Sequence, residues 1–261
     1  MFSVSVNRIL VHFASAVLLS VCTFAQQSAS AKPLRGSERL AQWRASRVSV
    51  YMNDFGELSR YRDADAALPS PTSSENRVVF YGDSITDGWK LAEYFPGKPY
   101  VNRGISGQTT AQMLVRFRQD VINLHPKVLV VLAGTNDIAG NTGPISLEDI
   151  EANYTTLAEL AALHHIRLIY SSVLPVHEYT ERAGDMFTQR PPDKIRVLNQ
   201  WLKDYCEKNG CYYLDYFGAM VDDKGFLKKE LADDGLHPNP AGYKVMAPLA
   251  QGAIEKALGT P

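Results

Sequence analysis

The stretch Val78-Val79-Phe80-Tyr81-Gly82-Asp83-Ser84-Ile85-Thr86 decides the fold. Its first four residues are β-branched or aromatic and read as a short buried strand, and the polar turn that follows leads into a helix. Outward from it, apolar runs alternate with helical patterns. Tyr100-Val101-Asn102-Arg103 reads as a weaker strand, Val128 to Leu132 as a strong one, and Arg167 to Val173 and Cys211 to Tyr216 as the fourth and fifth. Between them, Thr109 to Leu124 places Met113, Leu114, Phe117, Val121 and Leu124 on one helical face. Ser146-Leu147-Glu148-Asp149 has the form of a capping box ahead of Ile150, Tyr154, Leu157 and Ala161. Pro191-Pro192-Asp193 opens a helix that Asn209-Gly210 closes. Asn239-Pro240 starts the last one, in which Pro248 predicts a kink. Strands alternating with long helices pair in parallel through right-handed crossovers. The expectation is a three-layer α/β/α sandwich on a five-stranded parallel sheet, with ligands beyond the carboxyl ends of the strands.

Four short motifs fall at that edge. Gly82-Asp83-Ser84-Ile85-Thr86 follows the first strand, and Asn102-Arg103-Gly104-Ile105-Ser106-Gly107 follows the second. Gly134-Thr135-Asn136-Asp137 follows the third, and Asp234-Gly235-Leu236-His237 lies between the fifth strand and the last helix. One such block occurs by chance; four in order, all at the edge where the topology predicts a site, are specific.

Over roughly Arg77 to Leu258 these blocks resemble the SGNH hydrolases, the GDSL esterase and lipase family. The resemblance implies a flavodoxin-like strand order and no cofactor. It implies Ser84 as nucleophile, Asp234 and His237 as the rest of a catalytic triad, and Gly107 and Asn136 as parts of an oxyanion hole.

Elementary chemistry asks for the same residue types. A neutral serine hydroxyl needs an adjacent base. Imidazole titrates near neutrality, and a carboxylate three residues before it can fix its tautomer and stabilise the imidazolium. The backbone N–H groups of Ser84 and Gly107 and the Asn136 side-chain amide are available donors for a developing oxyanion. Gly107, lacking a side chain, lets backbone approach a substrate. No Gly-x-Ser-x-Gly elbow is present, so the α/β-hydrolase signature does not apply. Plainer readings exist: Ser84 as a helix N-cap, Asn136 as a turn residue, Asp234 and His237 as a surface turn. Asp83 and Asp137 read as structural acceptors, and Trp89 either as core or as pocket wall. His164-His165 ends a helix, and His177-Glu178 lacks the spacing of a His-Glu-x-x-His metal motif, so no metal site is expected.

The flanks bound the remaining possibilities. The chain has 261 residues, 45% hydrophobic and 21% charged, with a formal net charge of -1. That excludes global disorder and a bulk basic field for nucleic acid. Arg8, an apolar run from Ile9 to Ala25 and the small residues Ser28-Ala29-Ser30-Ala31 read as a secretory signal peptide over 1–31, with cleavage after Ala31 or alternatively Ala25. An uncleaved anchor is the competing reading, though the run is short for a spanning helix. Val21 before Cys22 stands where a lipoprotein needs a small residue. Residues 32–76 read as a helical extension followed by the linker Pro69-Ser70-Pro71-Thr72-Ser73-Ser74, and 77–261 as the hydrolase domain. Removal of 1–31 leaves Cys206 and Cys211 as an even pair in an oxidising compartment, either disulfide-bonded or reduced. The long connection Val176 to Pro192 emerges on the edge of the site and is expected to wall the pocket, with Tyr179 and Phe187 as apolar surface and Arg182 and Arg190 as donors. The expected activity is hydrolysis of small carboxylic esters, with deacetylation of an acetylated carbohydrate second and a non-catalytic binding protein third. No stable membrane partner is expected after cleavage of the signal.

Overall fold

The structure, a computed structural model, describes residues 36–181 and 183–259. The signal-peptide reading of 1–31 and the role expected of Arg182 lie outside the described residues. Five strands, β1 (Val78–Gly82), β2 (Tyr100–Gly104), β3 (Val128–Leu132), β4 (Arg167–Ser171) and β5 (Tyr212–Leu214), form one sheet in the order β2-β1-β3-β4-β5. Every pair is parallel, which is the flavodoxin-like order. The helices are α1 (Gly36–Asn53), α2 (Arg62–Ala67), α3 (Ser84–Asp87), α4 (Leu91–Tyr94), α5 (Thr110–Asp120), α6 (Thr135–Ile138), α7 (Leu147–Leu163), α8 (Gly184–Gln189), α9 (Pro192–Asn209), α10 (Tyr216–Met220) and α11 (Pro240–Leu258). Among the described residues, none is long and apolar enough to cross a membrane.

Alternation along the strands generates the two outer layers. All residues of β1 and β3 are buried, as expected of a parallel sheet covered on both faces. Phe80 points to one face, where its ring lies 5.5 Å from Trp89 and 5.7 Å from Phe95, and Trp89 stacks on Tyr243 of α11 at 5.3 Å. Trp89 is therefore core, not pocket wall. Tyr81 points to the other face, 5.8 Å from Phe117 of α5, and Tyr170 in the same register donates its hydroxyl proton to the Tyr154 carbonyl of α7.

Local chemistry shifts several boundaries. The helix read through Leu124 stops at Asp120; Val121 leaves helical geometry and Ile122–Leu124 is a 3₁₀ turn. Met113, Phe117, Val121 and Leu124 are nevertheless all buried. The fifth strand is only three residues long, because the Asp215 side chain accepts the Gly218 N–H at 2.8 Å and turns the chain into α10. Ser146 and Asn239 cap their helices through their side chains, and α11 runs through Pro248. Helix α9 ends at Asn209, and Gly210 at φ +74° reverses the chain, bringing the Cys206 and Cys211 Cα atoms to 4.4 Å in a disulfide. Before β1, Arg77 donates to the carbonyls of Leu124 and Pro69 at 2.9 and 2.7 Å, fastening the Pro-Ser segment to the body.

The carboxyl edge is tied by one buried cation. Arg116 of α5 is fully buried, with its guanidinium 4.2 Å from the Tyr81 ring centroid. Its Nη2 donates to the Gly82 carbonyl at 3.0 Å, Nη1 to the Arg103 carbonyl at 2.9 Å and to Asp120 at 2.8 Å, and Nε to Gln108 Oε1 at 2.6 Å.

Two outcomes are expected. Arg116→Met leaves Asp120 as an uncompensated buried charge and should cost about 3–5 kcal/mol. On thermal unfolding that is a fall on the order of 10 °C for a domain of this size; a change under 2 °C or so would contradict the role assigned to Arg116. Alkylation followed by mass spectrometry should modify neither Cys206 nor Cys211 in native protein and both after reduction; two thiols reactive before reduction would refute the disulfide.

Candidate active site

Ser84, Gly107, Asn136, Arg190, Asp234 and His237 line one cleft of about 890 Å³ at the carboxyl edge of the sheet. It opens where β2 and β3 leave β1 in opposite directions, the switch point of the strand order. Ser84 is not a cap. Asp83 is the N-cap, its Oδ1 accepting the Ile85 N–H at 3.0 Å, and Ser84 is the first helical residue of α3. First-turn amides have no intrahelical acceptor, and the helix dipole there favours negative charge.

Ser84 Oγ lies 2.8 Å from His237 Nε2, and His237 Nδ1 lies 2.7 Å from Asp234 Oδ2. The carboxylate requires a proton on Nδ1, which makes Nε2 the acceptor of the serine hydroxyl. Asp234 Oδ1 also accepts the N–H groups of Leu236 and His237, at 3.0 and 2.8 Å. Partial burial works against the Asp234 carboxylate, but these bonds and the adjoining imidazole outweigh it and hold the carboxyl well below its usual range. The turn is anchored from the β4 side. His177, fully buried, faces the Ala232 carbonyl through Nε2 at 2.9 Å, and its backbone N–H donates to the Gly235 carbonyl at 3.0 Å.

Gly107 and Asn136 come from the loops after β2 and β3. Gly107 has φ +83°, and its carbonyl accepts the Asn141 amide at 2.9 Å. The space a side chain would take is filled by Trp43 of α1, since a Cβ there would lie 2.6 Å from the indole. The absent side chain thus makes room for α1. Ser106 beside it donates to Asp87 through its hydroxyl at 2.6 Å and its N–H at 3.2 Å. Asn136 Nδ2 donates to the Gln108 carbonyl at 3.0 Å, leaving a second N–H on that nitrogen, and Oδ1 faces Arg190 Nη2 at 3.4 Å. The neighbouring acids are structural: Asp137 accepts the Thr110 hydroxyl and N–H, and burial raises both Asp83 and Asp137 to about 6. Such a set can transfer a serine proton to imidazole and direct donors at a new oxyanion.

The connection after β4 walls the cleft through Arg190, as expected, but not through Tyr179 or Phe187. Ala183-Gly184-Asp185 leads into α8, whose Asp185, Met186 and Gln189 face the cleft together with Arg190. Phe187 lies on the opposite side of that turn, 5.1 Å from Phe226, and Tyr179 donates its hydroxyl proton to Asp222. Helical spacing groups 185, 186, 189 and 190 and excludes 187, which a loop reading does not foresee. Asn141 and the α1 residues Leu40, Trp43 and Ser46 are cleft residues that the motif reading missed. Helix α1 is seated by Arg39 on Asp185 and by Arg44 on the Gly140 carbonyl.

The chain is 32% identical over 207 residues to an uncharacterized lipoprotein of Bacillus subtilis (strain 168), covering 65% of this chain and 85% of that one. It is 25% identical over 208 residues to an acetylxylan esterase of Geobacillus stearothermophilus, covering 67% of this chain and 91% of that one. The crystal structure of a GDSL-like lipase from Bacteroides thetaiotaomicron VPI-5482 superposes with a TM-score of 0.72 at 40% identity, over 78% of this chain and 100% of that one. The GDSL-like lipase/acylhydrolase family matches residues 80–245, and the chain belongs to that family.

Proposed function

We propose that the chain is an exported serine ester hydrolase that cleaves small carboxylic esters through an acyl-enzyme. The observation that carries the reading is the hydrogen-bonded row Ser84–His237–Asp234, lying across the cleft from the Asn136 amide and the Gly107 loop. Ser84 Oγ attacks the ester carbon while its proton passes to His237 Nε2. The carbonyl oxygen takes up the electron pair and is met by the N–H groups of Ser84 and Gly107 and by Asn136 Nδ2. Collapse expels the alcohol, which takes the proton from His237. Water, deprotonated by the same imidazole, then attacks the acyl carbon and releases the acid and Ser84. Asp234 keeps Nδ1 protonated and balances the imidazolium. Export rests on the leader-like residues 1–31, with 32–76 as an extension and 77–261 as the hydrolase domain.

A carbohydrate O-deacetylase is the second reading. It is favoured by the acetylxylan esterase relative and by the polar groups of Gln42, Ser46, Ser106, Asn141 and Gln189 around the cleft, which suit sugar hydroxyls.

Ser84→Ala should abolish hydrolysis of a chromogenic acetate ester without shifting the unfolding midpoint, and an organophosphorus reagent should label Ser84 alone. Turnover that survives in the alanine variant sinks the reading, and leaves a binding protein or another nucleophile. Comparing acetate, longer acyl esters and an acetylated xylo-oligosaccharide separates the two substrate classes: kcat/KM highest on the sugar ester selects deacetylation.

Acidification should remove activity before it removes the fold. Only neutral imidazole can accept the serine proton. Asp83 and Asp137 have folded values near 6, above the roughly 3.9 of an unfolded aspartate, so between those limits the folded state binds more protons and gains stability as pH falls. Asp234, depressed in the fold, contributes stability above its unfolded value and loses it only at lower pH. Parallel profiles of kcat/KM and unfolding midpoint check this, and coincident loss of both would contradict it.

A further inference from the structure

The site holds a cation that the steps above do not use. Arg190, at the end of α8, is 4% exposed, and no carboxylate among the described residues lies within ion-pair distance of it. Its Nε donates to Thr135 Oγ1 at 3.0 Å, Nη2 faces Asn136 Oδ1 at 3.4 Å, and Nη1 faces the Met186 carbonyl at 3.4 Å. Asp83 and Asp234 act on it only through space, so its donors meet neutral acceptors and its charge can respond to negative charge that develops in the cleft. Burial lowers the guanidinium to about 10, so it stays charged at neutral pH.

The Asn136 carboxamide lies between a group that only accepts, the Gln108 carbonyl, and a group that only donates, the Arg190 guanidinium. Flipping the amide would set N–H against N–H on one side and oxygen against oxygen on the other. The orientation with Nδ2 on the Gln108 carbonyl and Oδ1 toward Arg190 is therefore dictated by its neighbours. At 3.4 Å the Arg190 contact is long for a hydrogen bond and acts mainly through charge. A cation at Oδ1 draws electron density toward the oxygen and makes the Nδ2 protons better donors.

We propose that Arg190 is a positioning residue for the oxyanion donor Asn136: it locks the carboxamide with Nδ2 toward the cleft and strengthens it as the tetrahedral oxyanion forms. The inference rests on the serine-hydrolase reading of the same site. It explains why Arg190, coming from the connection after β4, reaches across to the loop after β3 and anchors on Thr135, the residue before Asn136.

The test is a double-mutant cycle on the full exported chain with a neutral chromogenic acetate ester. Arg190→Met should lower kcat about tenfold with KM within about twofold, less than the roughly 10²–10³-fold of deleting an oxyanion donor outright. In an Asn136→Ala background the same change should cost less than about twofold, because the group it acts through is gone. Arg190→Lys, which keeps the charge but not the fork, should fall between wild type and Arg190→Met. A loss that persists in full without Asn136, or appears in KM alone, overturns the proposal and makes Arg190 a substrate contact or a purely structural group. An effect confined to esters bearing an anionic group overturns it in favour of anion binding. Should Arg190→Met fail to fold, Thr135→Val, which removes the Nε acceptor, reads the same cycle: a smaller kcat loss that vanishes without Asn136 supports the proposal, and an additive one overturns it. Ser84→Ala run alongside separates the two levels. Residual turnover there overturns both readings, whereas an inactive Ser84→Ala with an additive cycle overturns only this one.

Discussion

The guanidinium of Arg116 joins the end of β1, β2 and the loop after β2 through one buried side chain. It takes the last carbonyl of β1, the carbonyl of Arg103 in β2 and the side chain of Gln108, and Asp120 balances its charge. The Gly82 carbonyl stands two residues before Ser84, and the carbonyl of Gln108 holds the Asn136 amide. One buried side chain thus sets the mutual distances of the loops that carry Ser84, Gly107 and Asn136. Desolvating a guanidinium and a carboxylate is expensive, and the cost is offset only because their donors and acceptors meet partners. The same satisfied network holds the loops rigid, which is what the proposed mechanism requires of preorganised donors.

The second constraint is electrostatic. Several charged or chargeable groups meet at the edge of the sheet, and their environments divide the work. Asp234 is stabilised as an anion by three hydrogen bonds, while burial pushes Asp83 and Asp137, which bond to backbone and hydroxyl groups, up to about 6, so that on acidification they take up protons before Asp234 does.

Most of the fold was legible in the sequence because parallel strands covered on both faces read as unbroken apolar runs, and Val78 to Tyr81 and Val128 to Leu132 are such runs. The motif residues were legible because each stands within a few positions of a strand end, where topology alone predicts ligands. The rest acts through contacts with no local signature. Arg116 and Asn141 sit in a helix and a loop where Arg and Asn are ordinarily solvated, and they reach Gln108 and Gly107 over 8 and 34 residues; Arg190 was expected at the cleft, but its bond to Thr135, 55 residues away, was not. The fifth strand was read too long because Cys211 to Tyr216 is apolar or aromatic except at Asp215, the residue whose cap marks its end. Tyr179 and Phe187 were assigned to the cleft by composition, but the short helix α8 turns Phe187 outward onto Phe226, and Tyr179 bonds to Asp222.

Helix α1 lies before the family-matched residues 80–245, yet Leu40, Trp43 and Ser46 form part of the cleft. The row Ser84–His237–Asp234 draws no member from it. Shape and reactivity are therefore encoded on different stretches of one polypeptide. On the proposed reading, a change in the leading segment would alter which molecules fit while leaving Ser84, His237 and Asp234 as they are.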